Sequence, residues 1–297
     1  MTDEPPKGPT MDPLFVLETG EPFDEEKLLE HFKSSNDIRD VFFTSDRFRP
    51  KSPLNKLRNK SFHKVAFKSS VFEKVKFYDC LFEKCLLIGT EFLNCEFHDC
   101  VFRDCNTHKI KFEKTYIDPK SFTKLPNRKK YANIGVHLFH ELYRNSHEML
   151  QPDFKNTAEY EFRRWKRYET TSKWRLKKIS NSRFAKQWFP NFGFFLISGY
   201  GLKSLRLLVW SALLFAGIVF FNYRYWDLFG FTSGTLDISQ PRLSLSVYYT
   251  TVTLSTLGYG DITPRSEFGV LMTSFQALLG LVWLALVASV LIKRIIR

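Results

Sequence analysis

Residues 251–261 read TVTLSTLGYGD, two glycines around a tyrosine behind a row of hydroxyl side chains. Glycine adopts positive φ as readily as negative, so Gly258 and Gly260 allow successive carbonyl oxygens to turn toward one axis. Oxygens held that way replace the water around a cation, and several such strands stack them into rings. A lone Gly-Tyr-Gly-Asp is also a surface turn, so the elements on either side must decide between the two readings.

Those elements are apolar. The run LLVWSALLFAGIVFF covers residues 207–221, and a bilayer core needs about 20 residues of helix. The spacing predicts a span that starts near Lys203 and ends among Tyr223, Tyr225 and Trp226 as interfacial anchors. A buried helix of a soluble protein is the other reading of this run alone. The second run, residues 268–292, has no charge and stops at KRIIR. Between them RLSLSVYYTTVTLST reads as a short helix of mixed polarity that runs straight into the glycine segment. Irregular backbone at membrane depth is tolerated where it is buried in protein or lines a water-filled path, which a re-entrant helix and loop would satisfy. Lys203, Arg206, Lys293, Arg294 and Arg297 flank the two runs on one side, whereas residues 222–267 carry Arg224, Arg242 and Arg265 against four acids. Basic residues stay inside, so both termini are expected to be cytoplasmic, in a cell-membrane protein of two spans. The opening MTDEPPKGPTMDPL has no basic n-region or apolar h-region, in keeping with a cytoplasmic N-terminal part.

Thr256, Leu257, Gly258, Tyr259, Gly260 and Asp261 match the signature of potassium channels, and residues 203–297 resemble the two-transmembrane pore domain of that superfamily. The resemblance implies a homotetramer with K+ as the permeant ion and no other cofactor. Carbonyls of residues 256–259 and the Thr256 hydroxyl would form the filter, with Gly260 closing it. Asp261 and Tyr249 would support it; Tyr248 and Tyr249 stand where many members have tryptophans, and Tyr249 is expected either to offer a hydroxyl to Asp261 or Tyr259 or simply to pack. Gly280, twenty residues after Gly260, corresponds to the inner-helix glycine hinge. Helical spacing from it turns Ala277, Leu284 and Ala288 toward the cavity, and Trp283 toward lipid or the first helix. Leu257 replaces the usual Val or Ile. Tyr259 is not Asp, which favours potassium over a nonselective pore. Two spans leave no arginine-rich voltage-sensing helix.

Upstream the rule changes to a period of five: Phe62, Phe67, Phe72, Phe77, Phe82, Leu87, Phe92, Phe97, Phe102, Thr107, Phe112, Ile117 and Phe122. Neither helix nor strand periodicity gives this spacing, so it is an internal repeat. It resembles the pentapeptide-repeat family, whose chain winds as a right-handed, four-sided β-helix with the central residue and the one two before it pointing inward. Residues twenty apart then stack, Phe62 over Phe82 over Phe102 and Cys80 over Cys100. All five cysteines fall on the inward small position, as buried fillers of a reducing compartment, without the Cys-x-x-Cys spacing of a zinc site. Cys95, His98 and Cys100 make a poor ligand set because His98 lies on an outward position. The outward residues mix signs, which disfavours mimicry of DNA.

Between repeat and spans, Ile134, Leu138 and Leu142, then Tyr160, Trp165 and Tyr168, predict two helices broken at Gln151-Pro152. The net charge is +13, and its densest stretch, residues 163–186, abuts the first run. That placement points to anionic lipid at the cytoplasmic face and away from nucleic acid. FDEEKLLEHF predicts a short acidic helix capping the first coil. The fold class expected is thus a multidomain membrane protein: residues 1–57 as a lead and cap, 58–122 as a quadrilateral β-helix, 123–200 as a helical linker, and 201–297 as an all-α, tetrameric two-transmembrane pore. A regulatory or assembly role falls to the repeat domain, whose protein partner the sequence does not identify. The alternative class is a membrane-anchored interaction scaffold with a closed or nonselective pore. No Ser-His pair, carboxylate pair or phosphate loop supports an enzyme.

Overall fold

The computed structural model describes residues 17, 20–233 and 241–295 of the chain, which divides into two compact units, Met1–Asn191 and Phe192–Arg297. The basic flank at Lys293, Arg294 and Arg297, on which the expected orientation rests, lies outside the described side chains, as do residues 1–16 and 234–240.

Parallel strands in register at twenty-residue spacing dominate the first unit. Leu81–Glu83 pairs with Ser61–Ala66 on one side and Val101–Arg103 on the other, so that Phe62, Phe82 and Phe102 face one another in turn. Val71–Glu73, Glu91–Leu93 and Lys111–Glu113 form a second line, and Lys56–Arg58, Lys76–Tyr78 and Glu96–His98 a third. Bridges from Ala66 to Leu86 and from Leu86 to Asn106 make a fourth. The domain is β-helix-like, and its core is a set of ring columns. Phe62 stacks on Phe82 and Phe82 on Phe102 at 4.6 Å, and Phe77 on Phe97 at 4.7 Å, all fully buried. Each pentad turns its corner two residues after the central ring: Lys64, Asp79, Lys84, Asn94, Asp99 and Asp104 have φ of 51–54°. Asn and Asp tolerate that left-handed region better than Lys does.

The inward small residues also make bonds. The Cys85, Cys95 and Cys105 thiols each donate to the carbonyl of Phe62, Phe72 and Phe82 in the coil below at 3.3 Å, and the Thr90 and Thr115 hydroxyls do the same to Phe67 and Phe92 at 2.6 and 2.9 Å. Cys and Thr are interchangeable here because both are small donors. Burial pushes the Cys95 thiol up to about 12, and burial with the Cys85 sulfur stacked against it pushes Cys105 up as well. Thiolates are the reactive form. All five cysteines are buried, out of reach of a reagent, so they are expected to resist alkylation in the folded protein and to react together once it is denatured; titration with a thiol reagent before and after denaturation checks this.

The stack begins upstream of the expected boundary at residue 57. Asp37–Phe43 pairs with Ser61–Ala66, and Arg47–Phe48 with Val71–Glu73, with offsets of 24 residues, while Lys56–Arg58 returns to an offset of 20. Four extra residues between Phe48 and Leu57 hide this coil from a search at period five. Helix α1 (Glu25–Ser34), capped by the Asp24 side chain at 2.9 Å, sets Phe32 against Phe62 at 5.8 Å. At the other end, α2 (Ala132–Glu148) brings the buried Asn145 to the last coil, where its side chain accepts from the Thr115 N–H at 3.0 Å and donates to the Thr115 carbonyl at 2.7 Å. An open strand edge is thereby satisfied.

Helix α3 (Pro152–Arg175) packs along α2, and Gly135 lets the helices meet: a Cβ there would lie 2.2 Å from the Trp165 ring. On α2, His137 faces His108 of the coil at 6.4 Å between ring centres. Burial lowers the His137 pKa from 6.5, with His108, His140 and Arg144 acting in the same direction and Glu141 against it. A base with a lowered folded pKa favours the fold while it is neutral. Its contribution is complete above pH 6.5 and declines as pH falls below that value, because the unfolded chain takes up the proton first. Melting temperature is expected to drop between pH 7 and about 5.5 and to do so less in His137→Asn, as thermal scans at the two pH values would register.

Division between the units falls within α4 (Asn181–Ser198). The second unit holds α5 (Ser204–Arg224), α6 (Arg242–Leu254) and α7 (Glu267–Ile295), with a hairpin pairing Phe231–Ser233 to Ile262–Pro264. Leu205–Arg224 and Glu267–Ile292 are long and apolar enough to cross a membrane, and Leu205, Leu208, Phe220, Leu271 and Leu278 project outward from them. Tyr223 and Tyr225 are exposed as expected of anchors. Trp226 is not: it is buried with Phe229, Leu245, Tyr249 and Ile262, because the turn Trp226–Phe229 folds the chain back over α6.

Candidate functional site

The glycine segment starts as the cap of α6. The Leu257 N–H bonds the Val252 carbonyl at 3.1 Å and the Thr256 N–H the Thr253 carbonyl at 3.2 Å, with Thr256 at φ 60°. This is the Schellman arrangement, whose left-handed position normally takes glycine. A β-branched residue there costs about 1–2 kcal/mol, so local propensity does not select Thr256. Its hydroxyl donates to the Ser255 carbonyl at 2.7 Å and keeps its lone pairs for another partner.

Beyond it, Gly258 and Gly260 have φ of 57° and 76°, alternating with Leu257 and Tyr259. A Cβ built on either glycine meets nothing within 4 Å, so the requirement for glycine is one of backbone conformation and not of space. Residues 256–260 are all exposed. Among the described residues, no hydrogen bond ends on the carbonyls of Thr256, Leu257, Gly258 or Tyr259. The segment is thus a row of free oxygens at the C-terminal, partially negative end of a helix, an environment that favours a cation.

Asp261 closes the row. Its carboxylate accepts from the Tyr248 hydroxyl and, at 3.0 Å, from the Ile262 N–H. Of the two roles expected of Tyr249, packing is the one observed, and the hydroxyl that reaches Asp261 is that of Tyr248. One position is a turn of about 100° on a helix, and it carries Tyr249 to the buried side, where its hydroxyl meets Thr273 and its ring packs 4.7 Å from Phe231. Tyr248 holds Asp261, and Tyr249 holds the helix behind.

Helix α7 lies on α6 through one face, Thr273, Gln276 and Gly280. Gln276 and Asn222 of α5 exchange amide hydrogen bonds at 2.8 and 3.1 Å, and Asn222 also donates to Thr250 of α6 at 2.9 Å. All three are buried, so three helices meet at one satisfied polar knot. Its members escaped sequence reasoning; the signal available was a lone amide inside the second apolar run, Gln276, and another at the end of the first, Asn222. Leucine at 222 leaves the Gln276 amide unpaired, at about 1–3 kcal/mol. Asn222→Leu is expected to lower the melting temperature of the purified protein by several degrees, and Ser211→Ala, which loses the 3.0 Å bond from Trp283 and a 2.9 Å bond to the Leu207 carbonyl within the same helix, by less. That bond sets Trp283 against the first helix, one of the two positions expected.

Gly280 sits where α7 crosses the end of α6. A Cβ at this position would stand 2.4 Å from the Leu254 carbonyl oxygen and 2.8 Å from its Cα. The glycine is a contact point inside a continuous helix, in addition to any bending it permits. Ala277 borders the cleft between the glycine segment and α7, whose walls include Thr253, Thr256, Gly258 and Thr273. Leu284 and Ala288, one and two turns further on, are exposed in the single chain. In the first unit His98 points outward, its ring stacked between Tyr78 and Tyr116 at 4.9 Å from each and 3.1 Å from Glu96, while the thiols of Cys95 and Cys100 face in. Among the described residues, no three His, Cys, Asp or Glu side chains gather as a metal site.

A family model described as an ion channel matches residues 206–297. No curated protein was found to match the chain. The C-terminal part matches an ion-channel domain and holds two membrane-capable helices, which supports an ion-channel function and a place in the membrane.

Proposed function

We propose that this chain is one subunit of a homotetrameric, potassium-selective channel of the cell membrane. The observation that carries the reading is the alternation of left-handed backbone at Thr256, Gly258 and Gly260, with free carbonyls between, at the end of a helix set between two spans. One chain supplies a quarter of a ring, so four must surround an axis. In that assembly the carbonyls of residues 256–259 and the Thr256 hydroxyl replace the hydration shell of K+, and ions in adjacent sites displace one another. Tyr248 and Asp261 hold the outer end of the row, Tyr249 and Thr273 brace the helix behind it, and α7 lines the cavity through Ala277, Leu284 and Ala288. Gating follows from movement of α7 at Gly280, which its contact with Leu254 passes to the filter. No cofactor enters the cycle.

We read the first unit as a right-handed quadrilateral solenoid of pentapeptide repeats; the four lines of strands and bridges at twenty-residue spacing support this. It lies on the cytoplasmic side with both termini and serves regulation or assembly, near anionic lipid drawn by the basic residues around 163–186. A flux assay tests the channel reading: liposomes loaded with KCl and holding the purified protein should release K+ down its gradient, whereas liposomes holding the Gly258→Ala protein should not. Equal leakage from both would leave the alternating backbone without a role in conduction.

A further inference from the structure

In the first unit, a cleft of about 350 Å³ opens where the last strand, the following loop and α3 converge. Its floor is apolar and aromatic: Phe122, Leu125, Phe139 and Trp165. Its rim is cationic. The Tyr168 hydroxyl accepts from Arg128 Nη1 at 3.0 Å and from Arg164 Nε at 3.2 Å, so two guanidinium groups converge on one neutral oxygen. Lys120 adds a third cation. Glu161, 3.2 Å from Arg164 Nη1, is the carboxylate in the wall, which leaves the rim with an excess of positive charge.

Like charges drawn together repel unless an anion joins them, and a single carboxylate offsets only one of the three. The geometry is also that of an unfinished fork. Arg128 Nε and Nη2 and Arg164 Nη2 donate to nothing among the described residues, and guanidinium forks match pairs of phosphate oxygens. Arg128 lies 4.8 Å over the Tyr168 ring, which fixes the guanidinium plane without using those donors. The volume falls in the range of small-molecule pockets, at the lower end. We propose that this cleft binds a small organic phosphate with a flat, largely apolar body, a nucleotide in chemical class, its phosphate between Arg128, Arg164 and Lys120 and its body over Phe122 and Leu125. Bound there, it ties the end of the stack to α3, the helix that leads on toward the spans in the chain.

The experiment uses the full chain in detergent micelles and a fluorescent ATP derivative, followed by anisotropy. Saturable binding is expected, with ATP competing at least tenfold better than adenosine or inorganic phosphate, since each of those fills only one half of the cleft. Arg128→Gln together with Arg164→Gln should weaken binding tenfold or more. Lys120→Gln, an exposed change that threatens no packing, should weaken it severalfold while the melting temperature without ligand stays the same. Absence of saturable binding, or an affinity unchanged in both variants, would overturn the proposal; an unchanged affinity would place the bound nucleotide elsewhere on the protein.

Discussion

On the proposed reading, Gly258→Ala is expected to abolish selective potassium current while both spans still insert and the chains still assemble. The side chain added is small and meets no neighbour within 4 Å, so crowding is not the cause. The cause is backbone: φ of 57° is open to glycine and costs an L-residue about 1–2 kcal/mol. Four subunits bear that cost in one ring, which gives about 4–8 kcal/mol against the conformation that presents the oxygens. The peptide relaxes to negative φ, its carbonyl leaves the axis, and a site in the row is lost. Leu257→Val, which changes a side chain and not the backbone, is expected to conduct nearly as the parent does. Reconstituted conductance separates the two variants, and a size-exclusion profile in detergent shows that assembly is intact in each.

The second large effect is expected at Gly280. As a hinge alone, Gly280→Ala would stiffen α7 and gain about 1 kcal/mol of helix propensity per chain. As a contact, it drives a methyl group into the backbone of Leu254, at 2.4 Å from the carbonyl oxygen. Backbone in the last turn of α6 cannot retreat freely, because the Leu257 N–H is bonded to Val252 and the glycine row follows at once. Overpacking of this kind costs about 1–3 kcal/mol. The expected outcome is a protein that melts lower and conducts poorly, while Gly217→Ala on α5, where a Cβ meets nothing within 4 Å, is neutral or slightly stabilising. Thermal scans of the two variants side by side decide it: a more stable Gly280→Ala protein would return the residue to the role of a hinge.

The period of five was legible because most central rings stack on their own kind twenty residues later, and the spacing runs unbroken from Phe62 to Phe122 even where Leu87, Thr107 and Ile117 replace the ring. It became illegible at the four-residue insertion before Leu57, where the coil continues while the pattern stops. The two membrane-capable helices followed from hydropathy, and the helix between them from its mixed-polarity run leading into the glycine segment. What pattern reading could not assign was the partner of a given side chain. Tyr248 and Tyr249 are adjacent and chemically identical, and only the rotation of α6 decides which one reaches Asp261. Asn222, Thr250 and Gln276 lie 28 and 26 residues apart, so no local period relates them; they meet because three helices cross. The cysteines were placed correctly as inward residues, yet their bonds to the carbonyls of the coil below depend on the vertical registry of the stack, which sequence spacing implies only after the coil length is known.

On the proposed function, the free carbonyls between Thr256 and Gly260 select K+. The most direct measurement is the reversal potential of the purified protein in a planar bilayer with KCl on one side and NaCl on the other. A value near the potassium equilibrium potential is predicted. Current that reverses near zero would mean a path that does not distinguish the two ions, and would contradict the assignment of the row as a selectivity filter.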